Sequence, residues 1–379
     1  VQSDDGYFSW TEIGQHEYDG VTMYLINMTS QKWQDETFTS NPIWWHHMAV
    51  AIPHELTYRD EAFLWIGGQD NDDVDEFPLP PDHFVSEIIA KMANETKAIG
   101  AYIFQVPNQP VVFYNDPDLK SRSEDSIIAW TWRTYLDDPN PDPTVILRMP
   151  MTKAAKRALD TVHEVAKMKE PSTHVERFAV TGASKRGWTA WSIACTDRRV
   201  VAMAPMVFSM LNANQTIMSH YQSMDGAWSF AFGPYYNENL TAEFHNPKTA
   251  EIYDVEDMFF YRERLEGIPK LEILATGDEF FLLDDTYQWW DGMPGPKYMM
   301  FLPNAEHALA PHYVKIYQTM AGFWLSFLEG APLPELSWTM QETELGGLIV
   351  FNTSPPPYNI TAWSAVTLED DTRRDFRLA

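Results

Sequence analysis

The sequence predicts an α/β fold built on a mostly parallel central sheet with helices on both faces. Three observations carry that reading. Short apolar strand-like runs alternate with helical patterns through most of the 379 residues, the signature of parallel architecture. The hydrophobic content of 45% and aromatic content of 14% suit a chain with a sizeable core. At FAVTGASKRGWTAW (178–191) an apolar run ends in a small-residue turn and a helix-like stretch begins at once.

The elements follow in order. VTMYLINMTSQKW (21–33) and IWWHHMAVAIP (43–53) read as early strands, an antiparallel pair. AFLWIGG (62–68) is a short buried strand ending in two glycines, FVSEIIAKMANETKA (84–98) a helix, and AYIFQVP (101–107) a strand. From Met151 to Lys169, Ala155, Leu159, Val162, Val165 and Ala166 recur at helical spacing between Pro150 and Pro171. VERFAVTG (175–182) is then a strand and 185–195 a helix. VVAMAPMVF (200–208), KLEILATG (270–277) and KYMMFLP (297–303) are further strands, and helix 313–328 closes the unit.

Two segments break the alternation. Residues 209–262 are long, aromatic and irregular, so they read as a lid or cap inserted between two strands. Residues 334–379 carry short alternating runs (GGLIVFN, ITAWSAVTL) around PPP at 355–357, a small and incomplete C-terminal β module after a main domain of 1–333.

A net charge of −27, from 54 acidic against 27 basic residues, repels phosphate backbones and anionic lipid, which excludes nucleic-acid and membrane-surface partners. No apolar run approaches the ~18 residues of a membrane span. The single cysteine, Cys195, forbids an intrachain disulfide and is read as a small buried hydrophobe. Six Asn-x-Ser/Thr sequons, at Asn27, Asn94, Asn214, Asn239, Asn352 and Asn359, exceed the roughly two that chance provides. With the start at Val1, they are read as marks of a secreted, N-glycosylated product. The acidic run QDNDDVDE (69–76) lacks the glycine and distal glutamate of a calcium loop and is read as solvated. His46 and His47, beside Trp44 and Trp45, read as buried hydrogen-bonding rings. No metal-ligand spacing and no phosphate-cradling glycine loop occur, so neither metal nor other cofactor is expected.

Acyl-transfer chemistry on such a sheet needs a nucleophile on a sharp strand-to-helix turn, with a helix N-terminus facing the developing oxyanion. Gly182 stands two before Ser184, but Arg186 occupies the position two after, and the glycine comes at Gly187. The pattern is therefore G-x-S-x-x-G rather than G-x-S-x-G. A helix-capping serine is the alternative. An acid and a histidine should follow on loops after later strands. Asp278 follows KLEILATG and His307 follows KYMMFLP, in that order, with Glu279, Asp284 and Asp285 as alternative acids. His307 is then the base and Asp278 its orienting partner. The expected oxyanion donors are the amide of Lys185 and that of Gly68 or Gln69. Arg186, with Trp228 and Tyr235 of the insertion, is expected at the substrate pocket. The Lys185 and Arg186 side chains either meet an anionic substrate group or pair with the acidic surface. The implied substrate is a small-molecule, glycan or peptide ester or amide.

The stretches NMTSQKW, IWWHHMAVAIP, LWIGG, VTGASKRGWTAW, APMVFSMLN, YQSMDGAWSFAFGPYY, IPKLEILATGDEFF, PGPKYMMFLPNAEHAL and RDFR, in this order along nearly the whole chain, resemble the PhoPQ-activated pathogenicity-related proteins. The resemblance implies an α/β-hydrolase fold with Ser184, Asp278 and His307 at the catalytic positions. The G-x-S-x-x-G turn is that family's own form. Its eukaryotic side is associated with secreted signals that restrain proliferation, which implies a non-catalytic alternative acting through a cell-surface receptor.

Overall fold

A computed structural model describes residues 1–73 and 77–365. Nine strands form one sheet: β1 (Ser9–Tyr18), β2 (Val21–Lys32), β3 (Ile43–Pro53), β4 (Tyr58–Ile66), β5 (Ala98–Ile103), β8 (Arg177–Ala183), β9 (Val200–Met206), β10 (Lys270–Ala275) and β11 (Lys297–Leu302). A two-residue pair, β6 (Val111–Val112) with β7 (Ser121–Arg122), lies outside it. The sheet order is β1-β2-β3-β5-β4-β8-β9-β10-β11. The first three strands run antiparallel up to β5, and every later neighbour is parallel.

Strands β5 and β10 are buried at every residue because helices cover both faces. On one face lie α1 (Phe84–Thr96) and α8 (Tyr313–Leu328), whose Ile89, Met92, Ile316, Met320 and Trp324 join the apolar core. On the other lie α2 (Asp125–Asp137), α3 (Arg148–Lys169) and α4 (Lys185–Thr196). Helix α3 begins before Met151 and takes Pro150 into its first turn, where a missing N–H leaves no helical bond unmade.

Besides the short β6 and β7 and the hairpin strand β12 (Glu335–Thr343), β1 and α2 went unexpected. Strand β1 alternates exposed and half-buried residues along an edge, so its apolar signal is faint. Helix α2 starts at Glu124, whose φ of 55° and absent side-chain cap give no ordinary start signal. The insertion between β9 and β10 holds α5 (Ala213–Ser223), α6 (Gly233–Asn237) and α7 (Pro247–Glu256) with three 3-10 turns.

The tail forms one antiparallel hairpin, β12 (Glu335–Thr343) with β13 (Gly346–Ser354), exposed along nearly its whole length. The expected run ITAWSAVTL is not a strand over residues 360–365, and its remainder lies outside the described residues, as do Val74, Asp75 and Glu76 of the acidic loop.

Candidate active site

The C-terminal ends of β4, β8, β10 and β11 place the candidate residues at one rim of the sheet. Ser184 follows β8 directly and adopts φ 58°, ψ −128°, a conformation that strains a non-glycine residue by about 1–3 kcal/mol. Its surroundings dictate the turn. The Ser184 amide donates to Met206 O at 2.9 Å, and its carbonyl accepts from the Trp188 amide at 2.9 Å. A Cβ on Gly182 would meet Arg186 O at 2.6 Å, and one on Gly187 would meet Met206 O at 2.8 Å. The glycine three after the serine is therefore where α4 touches the backbone of β9. The position two after points elsewhere and accepts an arginine. Ser184 makes no side-chain capping bond to α4.

Asp278 is the third residue after β10. Its carboxylate Oδ1 accepts the Phe280 and Phe281 amides at 2.8 and 3.0 Å and faces His307 Nδ1 at 2.9 Å, with the side chain 1% exposed. Of the four candidate acids it is the one bonded to the ring. Glu279 instead accepts the His307 main-chain amide at 3.0 Å, and Asp285 accepts the Leu282 amide beside His220, its carboxyl pushed up to about 6 by burial. Phe280 and Phe281 flank the imidazole, with ring centroids 4.7 and 5.8 Å away. No hydrogen bond joins the Ser184 hydroxyl to His307. Both line the same cavity, whose volume is about 250 Å³. Hydrogen bonds of this kind are often long in a free protein and tighten only when a ligand binds.

Gly68 lines that cavity and Gln69 does not. Gly68 must lack a side chain, since the Arg186 guanidinium packs where its Cβ would stand. The Lys185 amide is at the first position of α4, where helix geometry supplies no acceptor.

The two cations beside the serine do not reach for an anionic substrate. Lys185 Nζ pairs with Glu124 and, at 2.8 Å, with Asp125. Arg186 pairs with Glu124 through both Nη atoms and donates Nε to Val106 O at 2.6 Å. Glu124 is the functional-looking residue for which no sequence signal existed. It repeats the Ser184 backbone conformation (φ 55°, ψ −128°) and also accepts Gln109 Nε2 at 2.7 Å. Burial pushes its carboxyl up, but Arg186 and Lys185 hold it well below the usual range.

Of the expected pocket residues, Arg186 lines the cavity while its charge is spent on Glu124. Tyr235 lines a second, smaller hollow on the insertion side, where its hydroxyl donates to Asp125 at 3.0 Å. Trp228 lines neither hollow; it packs among His220, Phe232 and Phe244 because an indole amid that many rings gains more from burial than from facing a cleft.

His46 satisfies both ring nitrogens, Nδ1 with Phe104 O and Nε2 with Ser30 Oγ, each at 2.9 Å, and burial pushes it down to about 4. His47 stacks on Phe77 with centroids 4.4 Å apart. Cys195 is buried, its thiol pushed up to about 12. A grouping that sequence spacing had not revealed lies at the opposite end of β8 from Ser184. There His163, His174 and Glu176 bring ligand atoms within 4.8 Å, though His163 Nδ1 already faces Val175 O at 2.9 Å. Among the sequon asparagines, Asn27, Asn214, Asn239, Asn352 and Asn359 are exposed. Asn94 is half-buried and donates to Asp19 O. No helix of the described residues is long and apolar enough to cross a membrane.

The solved acetyl xylan esterase from Paenibacillus sp. R4 overlays 83% of this chain and 88% of its own at a TM-score of 0.52 and 12% identity, a likeness of α/β-hydrolase fold. Autocrine proliferation repressor protein A of Dictyostelium discoideum is 32% identical over 385 residues, spanning all of this chain and 75% of that protein. The family model described as PhoPQ-activated pathogenicity-related protein matches residues 1–377. With the strained serine turn, its offset glycine and an α/β-hydrolase sheet all present, the chain belongs to the PhoPQ-activated pathogenicity-related protein family.

Proposed function

We propose that the protein is a secreted, N-glycosylated serine hydrolase that cleaves an ester or amide through a Ser184 acyl-enzyme. The observation that carries this reading is a strained serine facing the cavity it shares with an imidazole whose far nitrogen is clamped by a buried carboxylate. In the first step Ser184 Oγ attacks the substrate carbonyl carbon while His307 Nε2 takes the hydroxyl proton. Asp278 accepts from Nδ1–H, which keeps the lone pair on Nε2 and stabilises the imidazolium. The amides of Lys185 and Gly68 receive the oxyanion, with Gln69 as the alternative second donor. Collapse expels the alcohol or amine, which leaves with the proton from His307. Water then repeats the sequence against the acyl-enzyme, releasing the acid and restoring Ser184.

The insertion 209–262 is the lid in this reading, tied down by Tyr235 to Asp125 and by Arg122 to Glu238 at 2.6 Å. Residues from 334 on form a separate module, which the exposed hairpin supports. The six sequons and their mostly exposed asparagines support secretion. A fluorophosphonate probe tests the core of the proposal: it should label Ser184 in the folded protein and leave Ser184→Ala unlabelled. Absence of labelling in folded protein refutes it.

A second reading is favoured by one observation, the 32% identity to a proliferation repressor. There the hydrolase scaffold serves as an extracellular signal or binding protein that engages a cell-surface receptor. A Ser184→Ala protein that keeps full extracellular activity supports that reading against the first.

A further inference from the structure

Ser184 stands between two separate hollows and is the one residue among those described that lines both. The larger, about 250 Å³, lies under α1 and α8, walled by Trp65, Ile88, Phe104, Ile316 and Met320, and it contains His307 and Gly68. The smaller, about 50 Å³, lies on the insertion side between Trp188, Phe208, Met210, Phe232 and Phe281. Both walls are mostly apolar. The charged groups at their edges are matched: Lys185 with Asp125 and Glu124, Arg186 with Glu124. The tyrosine hydroxyls of the larger hollow are also occupied, Tyr313 donating to Ala308 O and Tyr317 to Glu95. Neither hollow therefore offers an unpaired charge, and a charged substrate group entering either would lose its hydration without a partner.

The proton transfer assigns the two hollows. The leaving alcohol or amine must lie within reach of His307 Nε2, because that nitrogen protonates it. His307 lines the larger hollow and is absent from the smaller one. The departing group then occupies the 250 Å³ space, and the acyl substituent, on the other side of the attacked carbon, falls into the 50 Å³ space. Building on the hydrolase reading above, we propose that the substrate is a neutral ester or amide pairing a short acyl group with a bulky apolar alcohol or amine. The balance of the step is unchanged: Ser184 Oγ bonds the acyl carbon, the C–O or C–N bond breaks, and the bulky group departs with one proton.

The test uses the full chain and cyclohexylmethyl acetate, cyclohexylmethyl octanoate, ethyl acetate and acetylcholine, each rate divided by that of alkaline hydrolysis. Fluorophosphonate labelling of Ser184 is measured alongside. The expected kcat/KM for cyclohexylmethyl acetate exceeds each of the other three by about 100-fold, since each methylene that fits or fails to fit an apolar pocket is worth roughly tenfold or more. Met210→Ala should raise the octanoate-to-acetate ratio about tenfold by enlarging the smaller hollow, and Ile88→Trp should lower cyclohexylmethyl acetate turnover more than ethyl acetate turnover. Octanoate preferred over acetate, acetylcholine preferred over cyclohexylmethyl acetate, or no turnover of any ester by protein whose Ser184 is labelled overturns the proposal. Failure of the probe to label Ser184 removes the hydrolase reading itself, which separates the two failures.

Discussion

Glu124→Gln removes one charge and almost no volume, and its consequence can be worked from the geometry. Lys185 and Arg186 are 6% and 12% exposed, and Glu124, at 39%, is their shared counter-ion. Lys185 retains Asp125 at 2.8 Å, while Arg186 is left with the Val106 carbonyl. Stripping the partner from a buried ion pair costs about 3–5 kcal/mol, whereas an exposed pair contributes about 0–1. Glu124 lies between these limits, so the expected loss is about 2 kcal/mol at pH 7. The pH dependence identifies the cause. A carboxyl held below its ordinary value in the folded state adds stability that is present above the unfolded pKa and disappears as pH falls. The gap between wild type and Glu124→Gln should therefore hold constant above about pH 4.5 and shrink below it by about 1.4 kcal/mol per pH unit. Urea unfolding at pH 7, 4.5 and 3.5 reads this directly. A gap that stays the same from pH 7 to 3.5, or no gap at pH 7, refutes the counter-ion argument.

Three further outcomes are expected. Asp278→Asn keeps Oδ1 as an oxygen for the Phe280 and Phe281 amides but puts an NH₂ at the Oδ2 position, 3.0 Å from His307 Nδ1, and removes the charge that stabilises the imidazolium; fluorophosphonate labelling should slow about 10⁴-fold with the unfolding midpoint nearly unchanged. Gly187→Ala drives a methyl to 2.8 Å from Met206 O and 3.1 Å from Gly182 O, both backbone atoms, so it should destabilise by about 1–3 kcal/mol in thermal melts. His46 is neutral when folded, at about 4 against 6.5 unfolded, so unfolding takes up a proton in that window. Wild-type stability should fall as pH drops from 6.5 to 4, with His47, also lowered to about 4 by burial, adding its own share, and His46→Gln should lessen the slope by up to about 1.4 kcal/mol per unit in denaturant titrations.

How much of this was readable beforehand follows from where each signal lies. The buried strands β5, β8, β9 and β10 are apolar runs closed by glycine or proline, so their local chemistry announces them. The order of Ser184, Asp278 and His307 is legible because each comes shortly after the end of a strand-like run, β8, β10 and β11 in turn. Strand β1 was hidden because an edge strand with one wet face keeps polar residues in half its positions. The pairing of Lys185 and Arg186 with Glu124 was illegible for a different reason. Sixty residues separate the partners, and only the juxtaposition of α2 with the β8 turn brings them together. Trp228 and Tyr235 were grouped by composition, yet one packs among rings and the other lines a hollow, a distinction that residue type does not carry.

The adjacency of β4 and β8 has a further bearing on how such a site can persist. Ile66 pairs with Gly182, so the peptide chain leaving each strand emerges beside the other at the ~4.8 Å spacing of a main-chain ladder. Gly68 and Lys185 lie two and three residues beyond that pair, so their placement rests on main-chain pairing open to every amino acid. Substitutions across most of the surface can then accumulate without altering the offset between these two strand ends. Only changes that shear one strand past the other, or that put a side chain on Gly68, would disturb it.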